Sequence, residues 1–290
     1  MTAPAGWILL DKPSGMSSRA AAGRIGRILA QKTFGHIGTL DPMASGLLPL
    51  AYGPATKMIP FMPTGCVKEY LFTVQFGYET DTLDITGDVI RRTDMVPDVD
   101  AVRAVLPQFI GDINQVPPQY SAVHVNGRRA YDAARRGEHV DIPPRRVRID
   151  ALELRAVDGD GWHFRTVCAT GTYVRSIARD VAAAVGTVAT VSMIRRIQTN
   201  GFSIKDAVTL DFLENWVHNG GDVRDYLRPV DFGLGDIPVV NLDDKDAVRY
   251  RNGGFIQMTQ QDGLVRVYAG DVFIGMGTVS DNVLRPKRTL

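Results

Sequence analysis

Apolar positions form short unbroken runs near the amino terminus and recur at strand or helix spacing further along. Trp7-Ile8-Leu9-Leu10, followed by Pro13-Ser14-Gly15, predicts a short strand closed by a turn. Ser17 or Ser18 then offers an N-cap for a helix to about residue 30, with Ile25, Ile28 and Leu29 on one face. Residues 47–52 read as a buried strand in which Pro49 argues for an edge or a bulge. Residues 70–76, rich in aromatic and β-branched side chains, predict a strong strand. An acidic loop rich in Asp, Thr and Gly follows, then a helix over 101–109. Strands are expected at 147–154 and 162–169. An amphipathic helix over 173–185 turns Val174, Ile177, Ala178 and Val181 inward. A strand over 188–199 carries Arg195-Arg196 at its exposed end. Many strands with interspersed helices give an α+β fold, a mixed and largely antiparallel sheet flanked by helices.

Two stretches break this pattern. Residues 114–148 open on Val116-Pro117-Pro118, close on Ile142-Pro143-Pro144, and read as an inserted surface element. Between them, 128–136 has helical spacing with charge over much of its surface, which predicts a projecting helix outside the core. At Gly235-Asp236-Ile237-Pro238 the composition shifts to short strand-like runs and Gly-rich turns. The expected organisation is therefore a main domain over 1–234 and a small β domain over 235–290. The final Arg285-Pro286-Lys287-Arg288 reads equally as part of a nucleic-acid surface or as a disordered charged tail.

Bulk properties fit this picture: 290 residues, 44% hydrophobic and 22% charged, are ordinary for a soluble globular chain. Two cysteines, Cys66 and Cys168, fit buried thiols in a reducing compartment better than a disulfide framework. No secretory signal or membrane-length apolar run is evident, so the expected location is the cytoplasm. The net charge of +1 hides strong segregation. Residues 1–60 hold six bases against two acids, and 128–148 hold seven arginines against three acids. Residues 79–100 and 206–246 are correspondingly acidic. A segregated basic face binds phosphate while the total stays near zero, although 128–148 alone reads equally as a solvated helix.

The most informative stretch is Gly35-His36-Ile37-Gly38-Thr39-Leu40-Asp41-Pro42-Met43-Ala44-Ser45-Gly46. Three glycines, a proline and no apolar periodicity exclude regular secondary structure and predict a rigid loop holding one acid. On spacing alone, Asp41 reads more readily as a turn cap. The segment resembles the catalytic-aspartate motif of the TruB family of tRNA pseudouridine synthases, related to dyskerin. Four further segments resemble that family in the same order: Ile8–Ser18 around Asp11-Lys12-Pro13-Ser14-Gly15, Lys68-Glu69-Tyr70, Gly171-Thr172-Tyr173-Val174-Arg175, and Ile194-Arg195-Arg196 with Gly201-Phe202. The region 235–290 resembles a PUA domain, an RNA-binding module.

The resemblance implies an isomerase, an intramolecular transferase that converts uridine to pseudouridine at position 55 of the tRNA T loop, acting on a flipped-out base. It implies Asp41, Arg175 and Tyr70 as catalytic residues: the carboxylate, its guanidinium partner, and an aromatic that stacks on uracil. His36 would fill the space left by the extruded base, and Tyr173 and Ile194 would wall the pocket. Lys12 is read mainly as structural, with phosphate as a second possibility. Arg128, Arg129, Arg135, Arg136, Arg145 and Arg146 would hold RNA phosphates. Whether Asp41 attacks the sugar or base, or removes a ribose proton, stays open. The reaction is redox-neutral and needs neither cofactor nor metal; the five histidines lack metal-site spacing and no phosphate-loop or dinucleotide motif occurs. The expected partner is tRNA, the expected state a monomer, with no membrane. Three competing readings remain: an RNA-binding or tRNA-folding protein in which catalysis is secondary, a guide-RNA-dependent synthase of dyskerin type, and a nucleoside hydrolase or glycosidase. The last would want a second carboxylate, for which Asp84 and Asp180 are the candidates.

Overall fold

A computed structural model describes residues 4–63, 67–121, 123–125, 127–138 and 140–290, apart from the side chain of Arg129. Cys66 and His139 lie outside the described residues. In chain order the elements are β1 (Gly6–Lys12), α1 (Ser18–Ile28), β2 (Phe34–His36), β3 (Ser45–Tyr52), β4 (Lys68–Phe76), β5 (Tyr78–Thr80) and β6 (Val89–Arg92). Next come α2 (Val99–Val105), β7 (Gly111–Gln115), β8 (His124–Val125), β9 (Arg128–Arg129), α3 (Ala130–Ala134), β10 (Arg145–Asp158), β11 (Gly161–Cys168), α4 (Val174–Ala184) and β12 (Ala189–Thr199). The chain ends with β13 (Phe202–Ser203), β14 (Val208–Thr209), α5 (Leu210–His218), β15 (Val239–Leu242), α6 (Asp244–Arg251), β16 (Ile256–Gln257), β17 (Gly263–Ala269), β18 (Val272–Ser280) and β19 (Val283–Thr289).

The main sheet has ten strands in the order β14-β1-β3-β12-β4-β11-β10-β7, with β2 on β3 and β13 on β12. Only β1/β14 and β3/β12 pair in parallel, so the sheet is largely antiparallel. The unbroken apolar run in β1 follows from burial of both its faces. Ile8 and Leu10 join the core beneath α1 and α4, while Trp7 and Leu9 join a second cluster with Met62, Phe202, Leu234 and Met276. That second cluster seats the carboxy-terminal five-stranded sheet, ordered β15-β17-β18-β19-β16, which also has a core of its own around Tyr250, Val265, Val267 and Leu284.

Helix α1 starts where Ser17 accepts the Ala20 N–H, and it buries Ala21, Ala22 and Ile25. Helix α4 buries the expected Val174, Ile177, Ala178 and Val181. Full burial of such a side chain stabilises by about 1.5–3 kcal/mol.

Several expectations need correction. Pro49 sits inside the sheet, opposite Leu9. On its other side the Pro49 carbonyl accepts the Ile37 N–H at 3.0 Å, and the missing Pro49 N–H falls where the β2 pairing at Leu50–Tyr52 ends. The acidic stretch after β4 contains the β5–β6 hairpin. The basic carboxy terminus is strand β19, paired to β18. Arg196 is fully buried rather than at an exposed strand end, and Arg195 pairs with Asp11. The helix expected over 128–136 is only the five residues of α3, and it does not project. Ala130 and Ala133 are buried, and Ala130 packs with Val123 and Ile142, with Tyr173 against them.

Candidate active site

Asp41 lies on the loop between β2 and β3, and that loop is gripped from two sides. On one side, Ser18 Oγ donates to the Leu40 carbonyl (3.0 Å) and accepts the Leu40 N–H (2.9 Å). The Gly15 N–H donates to the Pro42 carbonyl at 2.8 Å, and Ser14 Oγ to the Met43 carbonyl at 2.7 Å. On the other side, Arg196 Nη2 donates to the Gly38 carbonyl and Arg196 Nε to the Leu47 carbonyl, each at 2.8 Å. Gly38 has φ +66°, and a Cβ there would stand 2.9 Å from Arg196 Nη1. The loop thus needs glycine at this position for both conformation and space.

Lys12 belongs to this clamp. Its ammonium donates to the carbonyls of Pro13 (2.8 Å), Met16 (2.6 Å) and Pro42 (3.4 Å), and the residue is fully buried. Burial lowers it to about 8, opposed by the Asp41 charge. A phosphate has no route to it, which removes the phosphate role and leaves the structural one.

Opposite the loop, Arg175 stands in the first turn of α4 and is 4% exposed. Its Nη2 lies 2.8 Å from Asp41 Oδ2 and donates to the Tyr120 carbonyl at 3.0 Å. Its Nη1 donates to the Thr82 carbonyl at 2.7 Å and lies 3.3 Å from Asp84 Oδ2. The start of the helix is itself fixed by buried Gln115, whose side chain accepts the Tyr173 N–H (2.8 Å) and donates to the Tyr173 carbonyl (3.2 Å). Asp84 is held in turn by Thr82 Oγ1, the Thr86 N–H and Thr86 Oγ1 on its Oδ1. Val191 on β12 takes the Ile85 N–H and gives its own to Leu83, which sits at φ +62°. A leucine in the left-handed region persists only where surrounding bonds over-determine it.

A cavity of about 210 Å³ lies between these elements, lined by Thr39, Leu40, Asp41, Ala44, Lys68, Tyr70, Gly171, Thr172, Tyr173, Val174, Arg175 and Ile194. A second space of about 440 Å³ shares Thr39, Asp41, Tyr173 and Arg175 and adds Asp84, Tyr120, Tyr131 and Arg135. Asp41, 39% exposed at its side chain, stands on the wall common to both. Tyr70 projects from β4 beside its cross-strand neighbour Arg196, and burial raises its phenol, so it is a neutral donor. Burial also raises Tyr173. Burial, with Arg196 and Arg19 behind it, lowers His36, whose Nε2 lies 3.1 Å from Thr39 Oγ1; the imidazole is neutral at neutral pH.

The structure thus brings Asp41, Arg175, Tyr70, Tyr173 and Ile194 around one cavity, with His36 on the same loop. The insertion arginines divide. Arg135 stacks on Tyr131 at 4.7 Å and lines the larger space. Arg128 and Arg145 are exposed. Arg136 pairs with Glu138 at 2.8 Å and Arg146 with Asp112 at 3.2 Å. The side chain of Arg129 lies outside the described residues. Sequence reasoning passed over Lys68, Arg196 and Gln115, and weighed Asp84 only as a glycosidase acid. The signal for Asp84 was its place between Thr82 and Thr86, two hydroxyls able to hold a buried carboxylate. Asp180 pairs with Arg179 on α4 and does not line either space. Among the described residues no His, Cys, Asp and Glu group is arranged to hold a metal ion, and no helix is long and apolar enough to cross a membrane.

Three family models match the chain in succession: the TruB family pseudouridylate synthase N-terminal domain over 26–174, the tRNA pseudouridylate synthase B C-terminal domain over 175–234, and the pseudouridine synthase II TruB C-terminal region over 238–290. The tRNA pseudouridine synthase B of Gluconacetobacter diazotrophicus is 42% identical over 98% of this chain and 97% of its own length. That of Novosphingobium aromaticivorans is 42% identical over 98% and 96%. Among solved structures, a chain of a Cbf5-Nop10-Gar1 complex superposes with TM-score 0.69 at 24% identity, over 98% of this chain and 84% of that one, which shows a shared fold.

Proposed function

This chain belongs to the TruB family and is a tRNA pseudouridine synthase, and from that premise we propose that it isomerises the uridine at position 55 of the T loop, with Asp41 as its catalytic carboxylate. The observation that carries this reading is the Asp41–Arg175 pair, 2.8 Å apart on the wall of a cavity that also holds Tyr70.

The target base, stacked in a folded tRNA arm, is extruded into the cavity at a cost of about a few kcal/mol, offset by pocket interactions. Tyr70 and Ile194 stack against the ring, worth about 1–3 kcal/mol for an aromatic. His36, a neutral ring on the same loop as Asp41, occupies the space the base leaves. The C1′–N1 bond then breaks and its electron pair goes to the ring. Asp41 either bonds to C1′ or takes the C2′ proton. The freed uracil turns to present C5, and its electron pair forms the C5–C1′ bond as the carboxylate is released or the proton returned. C5 loses its proton and N1 gains one, so substrate and product are isomers. Arg175 keeps the carboxylate aimed throughout. Insertion arginines and the carboxy-terminal unit, 235–290, hold phosphates outside the cavity, the latter as a PUA-like RNA-binding module. The chain acts as a cytoplasmic monomer on tRNA.

The test uses the purified chain and unmodified tRNA transcript with nothing else added, followed by mapping of isomerised uridines. Pseudouridine at position 55 is expected, with Asp41→Asn keeping tRNA binding and losing product. Modification elsewhere, or only on addition of a guide RNA, would overturn the reading.

A further inference from the structure

The charged groups around the smaller cavity are partnered except at one place. Asp41 and Asp84 share Arg175, and Lys12 is satisfied by three carbonyls. Lys68 lines the cavity, yet its ammonium makes no ion pair or hydrogen bond among the described residues. Arg196 stands behind it, with Nε and Nη2 engaged by carbonyls and its guanidinium also held by the Tyr70 phenol. The two cations converge at Gly38, where a Cβ would meet Arg196 Nη1 at 2.9 Å and Lys68 Nζ at 3.6 Å.

Lys68 is half-buried on the cavity wall, and a cation left there without a counter-ion can pair with acceptors that a ligand brings. Two neighbouring cations with no carboxylate between them are a poor arrangement at rest. Burial, and then Arg196, pull the Lys68 ammonium below its ordinary value. An arrangement that is unfavourable at rest is useful where negative charge develops later, because only interactions that strengthen toward the transition state speed a reaction.

On the assignment of the reaction above, the ligand is uracil, neutral while attached to ribose and anionic once detached. We infer that Lys68, with Arg196 behind it, takes up the negative charge of the uracil ring as its bond to the ribose breaks. The C1′–N1 electron pair enters the ring and spreads over its two carbonyl oxygens. Lys68 donates to one of them without giving up its proton, and the charge is discharged when C5 bonds to C1′. Lys68 is thereby a catalytic residue for this chemistry, and Arg196 a positioning residue that also fixes the Gly38 end of the aspartate loop.

The experiment compares single-turnover rates of wild type, Lys68→Met and Lys68→Gln on tRNA carrying uridine or 5-fluorouridine at the target position. Fluorine stabilises the departing anion, so the fluorinated ring needs less help. Lys68→Met should slow uridine isomerisation about 100-fold, as loss of one preorganised donor does, with the tRNA dissociation constant unchanged. Its deficit in consuming 5-fluorouridine should be distinctly smaller. Lys68→Gln, which keeps a neutral donor, should fall between, and it carries the comparison if the methionine variant unfolds. Equal deficits on the two substrates, a loss wholly in tRNA binding, or a glutamine variant as fast as wild type would overturn the inference while leaving the reaction assignment intact. A wild type that makes no pseudouridine would reject that assignment, and the inference with it.

Discussion

Ser18 holds Leu40 by both of its backbone polar groups, its hydroxyl donating to the carbonyl at 3.0 Å and accepting the N–H at 2.9 Å, with both bonds buried. The residue before Asp41 is thus tied to the first turn of α1, and the carboxylate inherits its position from a helix rather than from a free loop. Ser18→Ala leaves a buried donor and a buried acceptor unmatched, at about 1–3 kcal/mol for each unsatisfied group. The expected result is a lower urea midpoint together with a fall in turnover, while tRNA affinity is kept. Denaturant titration and single-turnover kinetics check it; an unchanged midpoint would mean that the loop is held elsewhere.

Arg175 faces carboxylates on both sides, Asp41 at 2.8 Å and Asp84 at 3.3 Å, and binds two carbonyls as well. A lysine supplies one nitrogen and cannot span four acceptors. Arg175→Lys should therefore lose both activity and stability, the latter by about 3–5 kcal/mol if Asp84 is left as a buried unpaired charge. Asp84→Asn keeps the shape and removes the charge. It should lower turnover with the fold intact, because Arg175 then swings its full charge onto Asp41 and loses its fixed pose. Measured kcat, tRNA affinity and urea midpoints for both variants separate the two effects.

The Lys12 ammonium, lowered by burial to about 8 against an ordinary 10.5, makes stability depend on pH. Between these values the unfolded chain binds the proton and the folded chain has released it. The unfolded state then holds more protons, so stability contributed at this site rises with pH from about 8 to 10.5. Below that window the cost of burying the charge is fully present. Lys12→Met should be less stable at neutral pH, since the carbonyls of Pro13, Met16 and Pro42 lose their donor. It should also lack the alkaline rise, so the gap to wild type widens between pH 8 and 10. Urea unfolding of both proteins across that range is the check; parallel curves would place the titration elsewhere.

The sequence made some of this legible and hid the rest for physical reasons. Strand β4 and helix α4 were readable because their apolar residues recur at the period of the element, whereas Asp41, Tyr70 and Arg175 stood out as candidates only because the short motifs that hold them resemble those of a known family. Arg196 was misread because an Arg-Arg pair carries no sign of burial. What holds it in the interior is two backbone carbonyls, Gly38 on the aspartate loop and Leu47 on the parallel strand β3, both far away in sequence. Asp84 was one acid among several in a loop without periodicity, and its role depends on Val191 of β12 drawing that loop beside Arg175. The 128–136 stretch misled because its charge pattern was visible, whereas the small buried face of Ala130 and Ala133 was too short to register as a period.

The same insertion separates arginines available to RNA from those already engaged. Arg145 is exposed and makes no ion pair among the described residues, whereas Arg146, its neighbour in β10, lies 3.2 Å from Asp112. Each phosphate neutralised by a free cation releases counterions and adds about 0.9 to the salt slope of binding for duplex nucleic acid. A cation already paired must first give up its carboxylate, and an acid brought near phosphate offsets part of the gain. Arg145→Ala should therefore weaken tRNA binding and flatten the slope of log affinity against log salt by about 1. Arg146→Ala should change the slope by less, and Asp112→Asn should steepen it by freeing Arg146. Binding titrations of the three variants between low and moderate salt decide the matter: equal flattening by both arginine variants would show that the Asp112 pair dissolves on contact with RNA.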